Sequence, residues 1–175
     1  DPSAERRRYL QHHNSPENEG YVRYLETFAG EALIPFLPPP ASVLDFGSGP
    51  EPVFSRVLEK HGYSVEIYDP LFAPARTWEQ QRFDAVTAVE VAEHLFSPMD
   101  ELRRLREVLR PGGVLAVRTL LHYGDRDRFA SWWYRQDPTH VAFYSARSFS
   151  VAAELLDMEV LAVEKGRSVV LRRPS

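Results

Sequence analysis

The sequence predicts an α/β fold in which a doubly wound, mostly parallel sheet lies between two layers of helices and ends in an antiparallel hairpin. From residue 41 onward, short apolar segments of strand length alternate with amphipathic segments of helix length. This alternation is typical of parallel βαβ units. The last two strand-length segments are separated only by a short turn around Gly166, so we expect them to pair antiparallel.

Local signals along the chain predict the individual elements. Pro52, the Ser97-Pro98 pair and Ser145 stand where helices begin, because prolines and hydroxyl side chains suit helix N-termini. We assign neither a strand nor a helix to residues 69–82, which are interrupted by prolines. The predicted strands are residues 42–46, 65–68, 83–89, 114–119, 159–163 and 168–171, and the predicted helices are residues 52–61, 98–110 and 145–156.

Residues 1–40 are predicted to form a helical preface that acts as a lid on the main domain, residues 41–175. A short helix is expected over residues 4–13. A longer helix is expected over residues 20–36, because large apolar residues recur there at helical spacing and three prolines follow. The two parts together are expected to make one globular domain.

Composition restricts the class of protein. Of the 175 residues, 43% are hydrophobic and 26% are charged, which is typical of a globular chain. The chain has no cysteine, which excludes disulfides and cysteine nucleophiles and fits a cytoplasmic location. No apolar run approaches the ~18 residues that span a bilayer, so no membrane partner is expected. The net charge of -4 argues against a nucleic-acid partner, because phosphate binding usually needs a basic surface.

The segment Asp45-Phe46-Gly47-Ser48-Gly49 is the clearest sign of a binding site. It follows the first predicted strand and precedes a helix, where doubly wound folds bind a ligand across the carboxyl ends of the strands. Gly47 and Gly49 let the backbone approach that ligand without an intervening Cβ. Asp69 ends the second predicted strand, where a carboxylate can accept hydrogen bonds from ribose hydroxyls.

Charge distinguishes two ligands that suit such a turn. A dinucleotide would place a pyrophosphate between Asp45 and Glu51, and two carboxylates would repel it. S-adenosylmethionine has no phosphate, and Asp45 can bind its ammonium group directly or through a water. Pro52 also replaces the third glycine of the dinucleotide fingerprint. The residues therefore favour S-adenosylmethionine over a nicotinamide dinucleotide.

Four motifs in order resemble the class I S-adenosylmethionine-dependent methyltransferases, whose fold is Rossmann-like. The motifs are residues 43–49, 67–70, 83–95 and 109–115. The resemblance extends over about residues 41–172 and is strongest to bacterial members of unassigned substrate. It implies methyl transfer to an oxygen or nitrogen of a small-molecule acceptor, such as a sugar or a lipid precursor. It also implies that the cofactor is held by Asp45, Gly47, Ser48, Gly49, Asp69, Pro70 and Glu90.

One position departs from the pattern of this family. Many relatives have glycine where this chain has Glu51, whose carboxylate either crowds the methionine end of the cofactor or points to solvent. If it crowds the site, the chain is instead a cofactor-binding or scaffold protein without turnover. We expect the substitution to be tolerated, because Gly47 and Gly49 are intact.

The acceptor is expected to bind at the edge where the predicted strands 83–89 and 114–119 end, because loops at the carboxyl edge carry the substrate site in this fold. Asp137 has three open roles: turn former, contact to the acceptor, or partner that raises the basicity of His140. The aromatic residues between Leu120 and Ser145 either wall the acceptor or pack as the core of their loop. The candidate catalytic residues are His140, His94, Asp137 and Glu93.

A narrower resemblance links this edge to the small-RNA 2′-O-methyltransferases. There, two glutamates and two histidines hold a divalent cation on the terminal ribose of the RNA. The matching positions here are Glu90, Glu93, His94 and His140. A Glu-His pair is also widespread among relatives that use no metal, and the acidic charge opposes an RNA substrate. We therefore expect no metal and keep metal-assisted RNA methylation as an alternative function.

Overall fold

The computed structural model describes residues 15–164 and 166–175, so the helix predicted over residues 4–13 lies outside it. No helix within the described ranges is long and apolar enough to cross a membrane. The strands are β1 (Ser42–Phe46), β2 (Ser64–Tyr68), β3 (Phe83–Val89), β4 (Leu109–Arg118), β5 (Glu159–Glu164) and β6 (Ser168–Arg172). The α-helices are α1 (Glu19–Phe28), α2 (Val53–Lys60), α3 (Pro98–Val108), α4 (Arg126–Ser131) and α5 (Ala146–Leu155).

The strands form one sheet in the order β2-β1-β3-β4-β6-β5. Strands β2, β1, β3 and β4 run parallel, and β6 pairs antiparallel with both β4 and β5. The predicted mostly parallel sheet with an antiparallel C-terminal hairpin is therefore confirmed. Since β1 and β3 are parallel neighbours, the turns that follow them lie at the same edge of the sheet.

Alternate residues of the central strands face two separate cores, as the pleat of a strand requires. Leu44 and Val86 pack in one core with apolar residues of α3 and α5. Val43 and Ala85 pack in the other core with residues of α1 and α2. Helices thus cover both faces of the sheet, which confirms the three-layer α/β/α prediction.

The described part of the preface packs directly on the second core. The side chain of Asn18 caps α1 by accepting a hydrogen bond from the backbone N–H of Tyr21, 3.1 Å away. The helix then widens into a π-helical turn at Ala29–Leu33 rather than continuing as one α-helix. Leu25, Phe28 and Leu33 are fully buried, so α1 is fixed to the domain by its apolar face.

The start of β4 differs from the sequence prediction, whereas residues 69–82 agree with it. The third α-helix ends at Val108, and β4 already begins at Leu109, because Leu109 pairs with Phe83 across a register shift. Residues 69–82 contain only a 3-10 turn, Thr77–Gln80, and a bridge between Asp69 and Ala73. Strand β2 is consequently an edge strand of the sheet.

Gly113 allows the close approach of two backbone segments in β4. An added Cβ would lie 2.8 Å from the carbonyl oxygen of Arg110 and 3.0 Å from that of Asp84. We expect Gly113→Ala to lower the free energy of unfolding by about 1–3 kcal/mol, because the backbone must shift. Equilibrium urea denaturation measures this change.

Gly30→Ala is the matched control for that substitution. Gly30 is exposed and helical, and an added Cβ there meets no atom within 4 Å. We expect its free energy of unfolding to stay constant or to rise by up to about 1 kcal/mol. An equal loss of stability in both variants would contradict the steric explanation.

Candidate functional site

The turn after β1 is held against β2 and the end of β3. The backbone N–H groups of Gly47 and Ser48 both donate to the carbonyl oxygen of Tyr68, at 2.7 and 3.1 Å. Gly47 has a φ of 83°, and an added Cβ would lie 2.2 Å from Cγ2 of Val91. Only glycine fits at this position, since both its conformation and its contact with Val91 exclude a side chain.

The next two residues leave room and a polar atom for a ligand. Gly49 has a φ of 71°, and an added Cβ would meet nothing within 4 Å. The hydroxyl oxygen of Ser48 is buried and has no hydrogen-bond partner, which is costly unless a ligand or water supplies one. Glu51 is exposed, which agrees with the tolerated rather than the crowding interpretation. The turn therefore fits a ligand that approaches the backbone closely.

Asp69 connects the end of β2 to this turn. Its Oδ1 accepts hydrogen bonds from the N–H groups of Leu71 and Phe72, and its Oδ2 accepts one from Gly49 at 3.0 Å. Because each carboxylate oxygen has two lone pairs, Oδ2 keeps one for a ribose hydroxyl. Pro70 follows as an exposed residue. The predicted pair Asp69 and Pro70 thus lies beside the glycine turn.

Asp45 is a buried carboxylate next to the turn. It is 2% exposed and accepts hydrogen bonds from the hydroxyls of Ser55 (2.8 Å) and Thr87 (3.3 Å). Burial raises the pKa of Asp45 to about 6, although these hydroxyls oppose the shift. Burial, with the charges of Asp45 and Glu90, raises the pKa of Tyr21 to about 12. Tyr21 belongs to α1, so that helix lies close to the cofactor turn.

Glu90 lies at the end of β3 and is held from two sides. Its backbone has a φ of 53°, and its carboxylate accepts a hydrogen bond from Tyr24 of α1. Its Oε2 lies 3.1 Å from the hydroxyl oxygen of Tyr134, whose single hydrogen is donated to the closer Glu93. Burial, followed by the charge of Glu93, raises the pKa of Glu90 to about 7. The guanidinium of Arg118 lies 4.0 Å from the ring centroid of Tyr24. Glu90 therefore joins α1 to the loop after β4 beside the predicted cofactor site.

Glu93 is fully buried, unlike a residue that faces solvent from the rim of a cleft. Its Oε1 accepts a hydrogen bond from the hydroxyl of Tyr134 at 2.6 Å, whereas Oε2 has no partner. Its backbone carbonyl accepts hydrogen bonds from Val141 (2.8 Å) and Ala142 (3.1 Å). These contacts fasten the loop after β4 to the short 3-10 turn Ala92–His94.

His94 and His140 lie next to each other at this edge, with ring centroids 4.9 Å apart. Nδ1 of His94 lies 3.0 Å from the carbonyl oxygen of Thr139, and Nδ1 of His140 lies 2.7 Å from that of Tyr134. Because a carbonyl oxygen only accepts, each Nδ1 carries the hydrogen. In the neutral ring, Nε2 then carries the lone pair, which can take a proton or bind a cation.

The loop after β4 is built on an aromatic cluster, and Asp137 shapes its turn. Oδ1 of Asp137 accepts hydrogen bonds from the backbone N–H and the hydroxyl of Thr139, at 2.9 and 2.6 Å. This geometry is that of a turn former. The contacting rings are those of Phe129, Trp132, Tyr134, His140 and Phe143.

Tyr134 is buried, the other rings of that cluster are half-buried, and Trp133 remains 66% exposed. Sequence reasoning placed Tyr134 among the aromatics and gave no role to its hydroxyl. The signal that could have identified it is the pair Glu90 and Glu93, since buried carboxylates require nearby donors. Tyr24, which meets the same need for Glu90, was missed for the same reason.

Comparison with known proteins places these features in a family. The model of a methyltransferase domain matches residues 11–163. A tRNA U34 carboxymethyltransferase of Azotobacter vinelandii is 32% identical over 96 residues, which cover 49% of this chain and 30% of that protein. A ubiquinone biosynthesis O-methyltransferase of Cereibacter sphaeroides is 32% identical over 103 residues, which cover 57% of this chain and 41% of that protein. The chain thus spans less than half the length of these curated relatives.

A solved structure shows the same fold. The 1,6-didemethyltoxoflavin-N1-methyltransferase of Burkholderia thailandensis, with bound 1,6-didemethyltoxoflavin and S-adenosylhomocysteine, has a TM-score of 0.60 at 16% identity. The match covers 91% of this chain and 80% of that one. The predictions of fold, enzyme class and S-adenosylmethionine as cofactor are confirmed at the level of the family, because its model covers most of the sequence. The chain belongs to the methyltransferase domain family.

Proposed function

We propose that the chain transfers the methyl group of S-adenosylmethionine to an oxygen or nitrogen of a small-molecule acceptor. The observation that carries this proposal is the glycine turn, which has open space at Gly49 and lies between the carboxylates of Asp45 and Asp69. Two carboxylates suit a cationic cofactor and oppose a pyrophosphate. The candidate acceptor residues lie at the same edge of the sheet.

The residues of the turn account for binding of the cofactor. S-adenosylmethionine supplies an electrophilic methyl group on a sulfonium. Asp69 offers an Oδ2 lone pair to a ribose hydroxyl, and Ser48 offers its unpaired hydroxyl. Asp45 attracts the ammonium group directly or through a water. Tyr21 and Tyr24 place α1 beside these groups, which supports the predicted role of residues 1–40 as a lid.

The acceptor side needs mainly to align a nucleophile and exclude water, because methyl transfer is a displacement at carbon. We place the acceptor beside His94 and His140, whose Nε2 atoms carry the lone pairs. These rings take up the proton of the acceptor or position it. A small acceptor fits the net charge of -4, whereas the names of the relatives include both a tRNA enzyme and a ubiquinone-biosynthesis enzyme. The cytoplasm remains the expected place of the reaction.

Calorimetric titration with S-adenosylmethionine and S-adenosylhomocysteine tests the cofactor assignment. We expect micromolar binding of both and none of NAD. Asp69→Ala removes an acceptor for ribose and for the amide of Gly49, so affinity is expected to fall at least about tenfold. Asp100→Ala is the control, since Asp100 is exposed on α3 and pairs with Arg103 at the surface.

Absence of binding in the unaltered protein would overturn methyl transfer and favour a scaffold protein. Thermal unfolding of each variant distinguishes a lost contact from a lost fold. If the unaltered protein and Asp69→Ala bind S-adenosylmethionine with equal affinity, Asp69 does not contact the cofactor, and the cofactor assignment itself stands.

The raised pKa of Asp45 gives the same titration a pH dependence. The ammonium group attracts the ionised carboxylate, so affinity is expected to be constant above about pH 7. Below about pH 6, the pKa of Asp45, affinity should fall by up to about tenfold per pH unit. The free energy of unfolding responds in the opposite sense, and this carboxyl group makes it rise as the pH falls from about 6. The pKa lies above its ordinary value of 3.8, so the folded chain takes up this proton as the pH falls through about 6, which removes a buried charge.

Asp45→Asn isolates this effect, because the amide has nearly the same shape and does not ionise. We expect weaker binding with a flat profile between about pH 5 and 7. Asp100→Asn should keep the profile of the unaltered protein, since its carboxylate is exposed at the surface. If the affinity of Asp45→Asn for the cofactor falls below about pH 6 by as much as that of the unaltered protein, another group causes the pH dependence.

A further inference from the structure

We propose that Arg118 binds a carboxylate group of the methyl acceptor, so that the acceptor is a small organic acid with its nucleophilic oxygen or nitrogen elsewhere in the molecule. The inference rests on the proposed methyl transfer and narrows its acceptor to carboxylic acids. It gives a ligand-binding role to a residue outside the set of site residues that the sequence predicts.

Arg118 is a cation in the interior of the protein. It is the last residue of β4 and is only 5% exposed. Arginine is seldom buried so deeply unless an anion pairs with it, because removal of a charge from water is costly. Among the described residues, no carboxylate forms an ion pair with its guanidinium. A ligand that brings a negative charge would balance it.

The contacts that the guanidinium does make are weaker than an ion pair. Nη1 donates to the hydroxyl oxygen of Ser168 at 3.3 Å. The group stacks 4.0 Å from the ring centroid of Tyr24 and lies 5.7 Å from that of Phe28. Burial and the charge of Glu90 raise the pKa of Tyr24, and the charge of Arg118 opposes that rise. Ring faces and hydroxyl groups attract a cation less strongly than a carboxylate does, so the charge remains unbalanced.

The guanidinium lies at the sheet edge that carries the candidate acceptor site. The carbonyl oxygen of Arg118 accepts a hydrogen bond from the N–H of Glu90 at 2.8 Å. The carboxylate of Glu90 contacts both Tyr24, on which the guanidinium stacks, and Tyr134. The ring centroid of Tyr134 lies 4.2 Å from that of His140. Only three side chains thus separate Arg118 from His140, which places both within reach of one small acceptor.

The free side of the guanidinium has the shape that a carboxylate requires. Nε is buried without a hydrogen-bond partner, and the only guanidinium hydrogen bond to a described residue comes from Nη1. The N–H groups of Nε and Nη2 point in parallel, and such a fork binds the two oxygens of a carboxylate or of a phosphate. Glu90 and Glu93 stand at the same edge and repel a phosphate dianion more than a carboxylate. The local charge therefore favours a carboxylate.

The strand order favours the acceptor over the cofactor as the source of that carboxylate. S-adenosylmethionine also carries a carboxylate, next to the ammonium group that Asp45 attracts. In the sheet, β4 is the second strand from β1, which leads into the glycine turn. Neighbouring strands are about 4.8 Å apart, so Arg118 stands about 10 Å from that strand. The candidate acceptor residues, by contrast, follow β3 and β4.

Titration of the S-adenosylhomocysteine complex with acetate, followed by NMR of the arginine Nε–H groups, tests the proposal. Acetate is the probe, and acetamide is its neutral counterpart. We expect acetate, but not acetamide, to cause a saturable shift of the Arg118 signal, which is identified by its loss in Arg118→Lys. That variant keeps the charge and loses the fork, so the backbone amides of Glu90 and Thr119 should respond only at about tenfold more acetate.

Arg135→Lys is the matched control for that substitution. Arg135 lies in the loop after β4 and also stacks on an aromatic ring, 5.7 Å from the centroid of Phe129, but it is exposed. We expect its acetate titration to equal that of the unaltered protein. Because the Nε–H signal is observed in the unaltered protein, the test does not depend on the folding of any variant.

Five outcomes would overturn the proposal. Three of them are no saturable shift with acetate, an equal shift with acetamide, and an unchanged titration in Arg118→Lys. Tighter binding of phosphate than of acetate would replace the carboxylic acid with a phosphate-bearing acceptor. The fifth uses 5′-methylthioadenosine, which lacks the amino-acid part of the cofactor. Acetate binding to its complex, but not to the S-adenosylhomocysteine complex, would assign Arg118 to the carboxylate of the cofactor.

Calorimetry of S-adenosylhomocysteine separates this proposal from methyl transfer itself. Retained cofactor binding without acetate binding leaves methyl transfer standing and removes only the carboxylate of the acceptor. Absence of cofactor binding overturns methyl transfer, and the acceptor proposal that rests on it falls as well. The acetate titration of the ligand-free protein then shows whether Arg118 binds a carboxylate in any other role.

Discussion

The hydrogen bonds of Glu93 are the interaction on which the rest of the candidate acceptor site depends. A fully buried carboxylate is tolerated because the hydroxyl of Tyr134 donates to it. The carbonyl of the same residue accepts two backbone hydrogen bonds from residues 141 and 142. Replacing its side chain would remove the hydrogen bond from Tyr134, whereas the two backbone hydrogen bonds to the loop would remain. The position of His140 depends on that loop, since its Nδ1 is held by the carbonyl of Tyr134.

The cofactor half of the site follows from the parallel alignment of β1, β2 and β3. Their carboxyl ends share one edge, so the turn at Gly47 contacts both Tyr68 and Val91. Close packing with Val91 requires a residue without a Cβ, and the bond from Gly49 to Asp69 then sets the direction of the turn. The requirement for glycine at position 47 is thus a consequence of the parallel pairing of these strands.

Helix α1 connects the two halves. Its apolar face is buried in the core, and the hydroxyl of Tyr24 donates to Glu90 at the edge that carries the candidate acceptor site. Arg118, at the end of β4, stacks on the same tyrosine ring. The preface thus contributes both to the stability of the domain and to the environment of the acidic residues beside the ligand sites.

The sequence by itself determined the order of the strands, the helices other than α4, the hairpin at the end and the glycine turn after β1. These depend on local patterns: apolar periodicity, glycines that need a positive φ, and caps at helix starts. It also singled out Asp45, Asp69, Glu93, His94 and His140 as candidates, because their residue types stand at the carboxyl end of a strand or in the segment that follows one.

Only the tertiary structure decided how those residues act together. Residues 93 and 94 meet residue 140 across more than forty positions, and their hydrogen-bond partners come from Tyr134 and Thr139, which have no periodic relation to them. The position of the Glu90 carboxylate likewise depends on Tyr24 in α1. Such contacts arise when distant segments pack at one sheet edge, and no local pattern records which donor reaches which carboxylate.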